Sequence, residues 1–429
     1  MNIINLTNNK KLMRTVTTIL SLAFMMQAMN ASAQTIDRTT YWNFEQFSTD
    51  NEKVGEYNNP LNYGGLYIAG HSTDKPTVLK TLSSSSPKRD FSFGDYKYNV
   101  NTYIQIPGNS GTPAIDAKAS DTKQDAIALD VSASGTLYVR AEGSAAGRGI
   151  AIFFNASEVA KATSATKGEA FTASATNSEG GTYCIKSTAG ACNIYAVKFT
   201  PDNDNCEPLQ LTMTAQGVRT FSDTHAWKVP SGLEAYIAGK ETGNGDNVRL
   251  TLTRIDSIPA CTGVIVRGEA NATYELEPAD CGSLYDEERT KALIDVNYAL
   301  RPVVAPYSLH EKTPLATTSS DYNVYLLALS GGSLVFGPTA DGTLQAGKAY
   351  YRTRGDQDLF ANQEATSGAK GIGLDFAEAT GVETICSRSI SPKCDHSRSD
   401  CGQRNLMGLP VGEHYRGLVI MNGKKIIRK

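Results

Sequence analysis

Tyrosine and arginine side chains are the residues of this chain whose types and spacing best suit ligand recognition. Aromatic rings stack against the apolar face of a sugar ring, and a guanidinium binds a carboxylate through paired hydrogen bonds. Tyr138 and Arg140 alternate with Leu137 and Val139, so one of these two pairs faces outward from a strand. The candidate carbohydrate-binding residues are Tyr96, Tyr98, Tyr138, Arg140 and Arg148. Packing within a sheet is the alternative role for each of them.

Catalytic machinery is not recognisable in the sequence. The five histidines do not fall in H-E-x-x-H or H-x-x-E-H spacing, and no G-x-S-x-G elbow, P-loop or dinucleotide fingerprint occurs. A pair of glycosidase carboxylates cannot be located this way, because only the fold brings the two together. We therefore predict a non-catalytic protein without a cofactor or metal. An accessory of a polysaccharide lyase or hydrolase with an unrecognised active site stays open as an alternative.

Eight cysteines are the second set of reactive side chains. Cys184 and Cys192 flank residues 186–190, which are typical of a hairpin turn, so we predict a disulfide across two strands. Cys261 and Cys281 bracket another predicted strand pair and form a second predicted disulfide. Zinc is the rival ligand, but the sequence has no C-x-x-C pair and no histidine cluster. The pairing of Cys206, Cys386, Cys394 and Cys401 remains open.

The N-terminus has the pattern of a secretory signal peptide. Lys10, Lys11 and Arg14 precede an apolar stretch, and small residues at Ala31 and Ala33 predict cleavage between Ala33 and Gln34. A transmembrane anchor is the alternative, but the apolar stretch is shorter than the ~20 residues that a spanning helix needs. The sequence thus predicts a secreted or cell-surface protein with no transmembrane segment in the mature chain. A periplasmic location is the alternative.

The charge balance restricts the partners. The full chain has a net charge of −3, and cleavage removes three positive charges and no negative ones, leaving −6. Nucleic-acid binding favours a basic surface, so we expect no nucleic-acid partner. A polysaccharide or glycan, or other surface proteins, are the partners that remain.

Short alternating runs separated by Gly, Ser and Asn turns predict an all-β chain. Residues 127–131 and 135–143 are examples, and nothing of comparable strength has a helical period. We predict a jelly-roll-like antiparallel sandwich, a second β-rich domain and a C-terminal β-hairpin tail. The boundaries are a signal peptide at 1–33, the sandwich at 34–201, a linker at 202–208, the second domain at 209–380, a polar Cys/Ser-containing linker at 381–404 and the tail at 405–429. The acidic linker at 202–208 has calcium binding as its alternative role.

Three stretches of the predicted sandwich carry a family resemblance. They are Trp42-Asn43-Phe44, "GTLYVRAEG" at 135–143 and "GTYCIKSTAGACNIYAVKFTP" at 181–201. Together they resemble the jelly-roll module found beside pectate lyases and other polysaccharide-degrading enzymes of anaerobic Gram-negative bacteria. That resemblance covers roughly 160 residues and implies a carbohydrate-binding or accessory domain.

The rest of the chain resembles other parts of exported proteins from the same bacteria. "VRTFSD" at 218–223, "IPACTGVIV" at 258–266 and "LQAGKAYY" at 344–351 are similar to a C-terminal domain of unknown activity. The tail, with Asn422-Gly423 between two apolar runs, resembles the sorting domains of type IX secretion and predicts a hairpin. Its alternative role is to add edge strands to the second domain.

Together, these features predict an exported, non-catalytic protein that binds a polysaccharide or host glycan through its N-terminal sandwich. A structural or adhesive surface protein that binds other proteins is the alternative.

Overall fold

The computed structural model describes residues 35–47, 52–55, 59–70, 78–81, 89–93, 96–100, 102–108, 119, 125–243, 248–279, 300–309, 322–330, 333–339, 342–354, 371–376, 404–405, 417–421 and 424–428. No α-helix occurs in these residues, and their regular structure consists of strands in mainly antiparallel sheets, which confirms the all-β prediction. The chain forms two compact units, Met1–Ala377 and Glu378–Lys429.

Sixteen strands come from the predicted sandwich. They are β1 (Thr35–Ile36), β2 (Thr40–Asn43), β3 (Glu52–Lys53), β4 (Leu61–Tyr63), β5 (Leu66–Ala69), β6 (Val78–Thr81), β7 (Arg89–Phe93), β8 (Tyr96–Val100), β9 (Thr102–Ile106), β10 (Ala126–Val131), β11 (Gly135–Gly143), β12 (Gly149–Phe154), β13 (Ser157–Thr163), β14 (Ala170–Asn177), β15 (Gly181–Ser187) and β16 (Cys192–Pro201).

Two seven-stranded sheets make up this sandwich, as the jelly-roll-like prediction requires. The first sheet has the order β13-β12-β15-β10-β5-β4, with β1 parallel to β10. The second sheet has the order β14-β11-β16-β9-β6-β3, with β2 paired to β16. Because successive side chains alternate between the faces of a strand, Leu137 and Val139 of β11 point into the core and have no exposed surface. Ile127 and Leu129 of β10 belong to the same core.

Fifteen further strands come from the second domain. They are β17 (Leu209–Thr212), β18 (Val218–Phe221), β19 (Trp227–Lys228), β20 (Glu234–Thr242), β21 (Arg249–Ile255), β22 (Ser257–Ile258), β23 (Val264–Arg267), β24 (Thr273–Leu276), β25 (Leu300–Val303), β26 (Tyr307–Leu309), β27 (Tyr322–Ser330), β28 (Ser333–Thr339), β29 (Gly342–Leu344), β30 (Lys348–Arg354) and β31 (Ile372–Asp375).

Nine of these strands form a nearly closed barrel with the order β18-β23-β20-β21-β31-β28-β27-β30-β25. Side-chain hydroxyls join its two ends. Ser222, just after β18, donates to the carbonyl of Lys348 (2.6 Å) and accepts from the amide of Val303 (3.0 Å). Thr220 accepts from the amide of Ala349 (3.1 Å). These bonds satisfy buried backbone groups at the point where no strand ladder is present.

Residues 39–47 connect the sandwich to the barrel, and every one of them is buried. Within the sandwich, the indole of Trp42 donates to the carbonyl of Gly64 (2.9 Å). Towards the barrel, the side-chain oxygen of Gln46 accepts from the amides of Val304 (2.8 Å) and Ala305 (3.1 Å). We call residues 39–47 the interdomain segment.

Charged and aromatic side chains reinforce the same contact. Glu45 forms an ion pair with Arg301, and both side chains are largely buried. Phe47 packs edge-on against Tyr307 with a centroid distance of 5.7 Å, and Tyr307 lies near Tyr350 in the same core cluster. Residues of the sandwich and of the second domain therefore belong to one hydrophobic cluster, and two further clusters lie within the second domain alone.

The C-terminal unit contains β32 (Arg404–Asn405), β33 (Gly417–Met421) and β34 (Lys424–Arg428), in a three-stranded sheet of that order. β33 and β34 are antiparallel and pair from Gly417 opposite Arg428 to Met421 opposite Lys424. The predicted C-terminal hairpin is thus present, with the short β32 added to one side.

Candidate functional site

The outward face of the second sheet contains Tyr138, one of the tyrosines predicted to bind a carbohydrate. Tyr138 is at the middle of β11, directly between Ser174 of β14 and Lys198 of β16. Its neighbours in sequence, Leu137 and Val139, have no exposed surface, whereas Tyr138 is half-buried. Tyr138 and Arg140 are therefore the pair that faces outward.

Arg140 lies two residues further along the same strand, so it is about 7 Å from Tyr138 along the sheet. It is also half-buried, and it is placed between Thr172 of β14 and Ala196 of β16. Its Nη1 atom donates to the Thr172 hydroxyl (3.1 Å), which holds the guanidinium along the sheet surface. Tyr138 and Arg140 are thus neighbours on the same side of β11.

Hydroxyl groups surround this pair. Thr172, Ser174 and Thr176 follow one another along the outward side of β14, and all three are exposed. Thr136 of β11 is within hydrogen-bond distance of Thr176 (3.2 Å between hydroxyl oxygens). We call this surface the tyrosine face; it consists of Thr136, Tyr138, Arg140, Thr172, Ser174, Thr176, Lys198 and Thr200. An aromatic ring framed by hydroxyls and cations suits a sugar.

Lys198 is the charged member of the tyrosine face that was not predicted from sequence. It is half-buried between the inward-facing Val197 and Phe199, and it pairs with Tyr138 across the ladder. The alternation in "YAVKF" indicates that Lys198 points away from the core. Which strand lies beside β11, however, follows only from the sheet order.

Two basic residues, Arg140 and Lys198, belong to the tyrosine face. The three strands that form it contain a single acid, Glu142, near the far end of β11. Glu142 is 8% exposed, and its carboxylate accepts a hydrogen bond from the Tyr195 hydroxyl (2.9 Å). Arg140 and Lys198 are therefore the charged groups that these strands present at this surface.

Arg148 occupies a different part of the sandwich. It follows the turn after β11, and Gly143 at the end of that strand is five residues, or roughly 17 Å, beyond Tyr138. Its Nη1 donates to the Ser144 hydroxyl (2.6 Å). Its guanidinium packs so closely on Gly190 that a Cβ atom added to that glycine would lie 2.5 Å from Nε of Arg148. The structure gives Arg148 an internal role in closing this end of the sandwich and does not bring it to the tyrosine face.

Tyr96 and Tyr98 are on β8, which pairs with β7 in a separate two-stranded sheet. Phe93 is opposite Tyr96, and Phe91 is opposite Tyr98. These two tyrosines therefore belong to a different sheet from Tyr138, and the placement of their side chains lies outside the described residues. Ala33 and Gln34 of the predicted cleavage site also lie outside them.

The predicted disulfide between Cys184 and Cys192 is wrong. Both thiols are free and buried, because β15 and β16 do not form a hairpin: β15 belongs to the first sheet and β16 to the second. Residues 188–191 carry the chain from one sheet to the other. Cys184 is paired with Ala128 in the ladder of the first sheet, and the Cys192 thiol contacts the carbonyl of Glu142 (3.3 Å). Burial raises the pKa of each thiol to about 12.

The predicted disulfide between Cys261 and Cys281 is also wrong, because Cys261 is a free cysteine. Its thiol donates to the carbonyl of Tyr41 (2.9 Å) in the interdomain segment, and its own carbonyl accepts from the Asn43 side chain (3.4 Å). Burial strongly raises the pKa of this thiol. Cys281 lies outside the described residues.

A histidine and an aspartate meet beside the interdomain segment. His225 donates through Nδ1 to the Thr39 carbonyl (2.8 Å), and Asp223 accepts from the Trp227 indole (2.9 Å). The Arg38 guanidinium stacks on the Trp227 ring, 4.8 Å from its centroid. Burial lowers the pKa of His225, Arg38 lowers it further, and Asp223 offsets this only in part. The His225–Thr39 bond and the stacking of Arg38 on Trp227 join the second domain to the sandwich.

The predicted linker at 202–208 is tied to the sandwich. Asp204 accepts from the amide (2.8 Å) and the hydroxyl (2.6 Å) of Thr39, and Asn205 donates to the Asp37 carboxylate (2.9 Å). In the part of the chain that the structure describes, no group of three or more His, Cys, Asp or Glu side chains is arranged to hold a metal ion. The same part has no helix with the length and hydropathy that a membrane span requires.

Comparisons with known proteins leave the family open. No family model matches the chain, and no curated protein matches it. Among solved structures, the chain is similar to the crystal structure of dimeric latent PorU from Porphyromonas gingivalis, with 13% sequence identity and a TM-score of 0.17. The match covers 58% of this chain and 21% of that one, so this chain spans about a fifth of that protein's length. A TM-score this low carries no argument about fold or function.

Proposed function

We propose that this chain is an exported, non-catalytic protein that binds a polysaccharide or glycan on the tyrosine face. The observation that carries the proposal is the position of Tyr138. Its ring stands half-buried in the outward side of a regular sheet, between Ser174 and Lys198 and two residues from Arg140. A ring fixed at its base can stack on a pyranose with little loss of side-chain entropy, while neighbouring hydroxyls bond the sugar edges.

The test uses the whole chain from residue 34, because the interdomain segment is buried between the sandwich and the barrel. Retention on a panel of immobilised polysaccharides is compared between the parent protein and Tyr138→Ala. We expect at least one polysaccharide to retain the parent protein. The affinity of Tyr138→Ala for that polysaccharide should be about tenfold lower, which corresponds to a loss of roughly 1.4 kcal/mol in binding free energy. A protein that no polysaccharide retains, or that Tyr138→Ala leaves unchanged, would contradict the proposal.

Export is part of the same proposal and is supported by the N-terminal pattern. The proposed cleavage between Ala33 and Gln34 leaves β1 and every later strand intact. Sequencing the N-terminus of protein recovered from the cell surface or medium should give Gln34 as the first residue. Deleting residues 405–429 should leave the protein in the periplasm if the tail directs sorting. Surface delivery of the shortened protein would instead assign the tail a purely structural role.

A second candidate function, the binding of other proteins, is favoured by the β27–β28 hairpin. Leu329 is 57% exposed there and is directly opposite Leu334 near the tip. An exposed leucine near a hairpin tip is a suitable anchor for a protein partner. Under this function, Leu329→Ser abolishes adhesion to host or bacterial surface proteins, whereas Tyr138→Ala has no effect on it.

A further inference from the structure

We infer that Arg219 and Lys348 bind an oxyanion, namely a phosphate, sulfate or carboxylate group, at the seam of the barrel, where β18 meets β25 and β30. The site belongs to the second domain, is separate from the tyrosine face and does not depend on glycan binding. It follows from two basic side chains that the fold holds next to each other without an acidic partner.

Hydrogen bonds across the seam place these two residues side by side. The Thr220 hydroxyl accepts from the amide of Ala349 (3.1 Å), so the residues that precede them in sequence, Arg219 and Lys348, are also adjacent. Val218 and Ala349 belong to one hydrophobic cluster of the second domain. Because side chains alternate between the two faces of a strand, Arg219 and Lys348 point to the opposite side of the sheet, where each is half-buried.

The surrounding strands supply no negative charge to this pair. β18, β23, β25 and β30 contain no acid. Directly across the ladders, Arg219 is paired with Val266, and Lys348 is paired with Val303. Glu45 of the interdomain segment contacts β25, but its carboxylate is used in an ion pair on that strand. The two basic residues therefore have apolar neighbours where a structural ion pair would need a carboxylate.

Both basic groups keep hydrogen-bond donors that the described residues do not use. Arg219 donates through Nη1 to the carbonyl of Thr212 (2.7 Å), and its Nη2 atom has no partner in this part of the chain. The Lys348 ammonium has no hydrogen-bond or ion-pair partner there either. An oxyanion suits such a pair, because a guanidinium fork can bind two of its oxygens while an ammonium binds a third or shares one.

The electrostatics of the free site favour an anion. Burial lowers the pKa of Arg219 and of Lys348, and the positive charge of Arg219 lowers the pKa of Lys348 further. Each shift shows that the charged form of the side chain is destabilised in its present surroundings. A bound oxyanion offsets both causes at once, since it replaces lost hydration with hydrogen bonds and separates two like charges with a negative one.

The test follows thermal unfolding of the residue 34–429 protein while phosphate, sulfate or acetate replaces chloride at constant ionic strength and neutral pH. A ligand that binds only the folded state raises the unfolding midpoint in a saturable way, which gives its dissociation constant. We expect at least one of the three anions to bind the parent protein and to bind Lys348→Gln about tenfold or more weakly. Lys161→Gln is the matched control, because it removes the same charge from an exposed position on β13, and it should change the dissociation constant less than about twofold.

A second variant, Lys348→Glu, places a carboxylate beside Arg219 within the chain itself. We expect its midpoint in chloride to be at least as high as that of the parent protein, and its response to the oxyanion to be lost. Phosphate and sulfate also stabilise proteins by exclusion from their surfaces, but that effect is the same in every variant. A parent protein with no saturable response, or equal responses in the parent, Lys348→Gln and Lys161→Gln, would overturn the inference and show that Lys348 only extends its ammonium into water.

Discussion

Replacing Gln46 by alanine tests whether the sandwich and the barrel depend on the buried interdomain segment. The side-chain oxygen of Gln46 is the hydrogen-bond acceptor for the amides of both Val304 and Ala305, and Gln46 itself is 1% exposed. The alanine variant leaves both buried amides without this acceptor. Because each unsatisfied buried donor costs about 1–3 kcal/mol, we expect the free energy of unfolding to fall by roughly 2–5 kcal/mol.

Urea unfolding of the residue 34–429 protein, followed by tryptophan fluorescence, measures this loss. Trp42 and Trp227 are both buried near the contact between the sandwich and the barrel, so they report on the region in question. Gln210→Ala is the matched control, because that side chain only bonds Glu275 at the surface (2.8 Å), and its loss should cost less than about 0.5 kcal/mol. A Gln46→Ala loss below about 1 kcal/mol, or equal to the control, would refute the inferred dependence.

Three further predictions follow from local geometry. Ala156 has a φ of +67° in the two-residue turn between β12 and β13, so Ala156→Gly should raise the free energy of unfolding by up to about 1 kcal/mol in the same assay. Cys184, Cys192 and Cys261 should resist alkylation at pH 8 in the native protein and react in urea, as mass spectrometry would show, because their thiols are buried with raised pKa values. The pKa of His225 is lowered by burial, so the unfolded state takes up a proton first as the pH falls below about 6.5. Stability should therefore decrease as the pH falls through that region, and this decrease should be smaller in His225→Gln when unfolding is measured from pH 7.5 to 5.

The sequence is sufficient to predict the fold class and which side chains face outward, because side chains alternate between buried and exposed along a strand that packs on one face. Leu137 and Val139 point inward and Tyr138 and Arg140 outward for this reason. The tail hairpin was equally predictable from its apolar runs around an Asn-Gly pair, and β33 and β34 pair across those residues.

Sheet membership could not be predicted, because alternation identifies a strand but not its neighbours. The turn-like stretch between Cys184 and Cys192 suggested a hairpin, whereas it is a crossover between two sheets. Lys198 was missed for the same reason: its place beside Tyr138 depends on the pairing of β16 with β11.

The contacts of the interdomain segment could not be predicted from the sequence either. The contact of Gln46 with Val304 joins residues 258 positions apart. Neither residue has a local pattern that differs from ordinary strand or turn residues. Composition indicated a linker at 202–208, yet residues of both flanking domains belong to one hydrophobic cluster with the interdomain segment.

The most direct test of glycan binding at the tyrosine face is a titration of the polysaccharide that binds tightest against the parent protein, Tyr138→Phe and Tyr138→Ala. We expect Tyr138→Phe, which keeps the ring, to stay within about twofold of the parent affinity, and Tyr138→Ala to weaken binding about tenfold. Three equal dissociation constants would show that the sugar binds elsewhere and would contradict glycan binding at the tyrosine face.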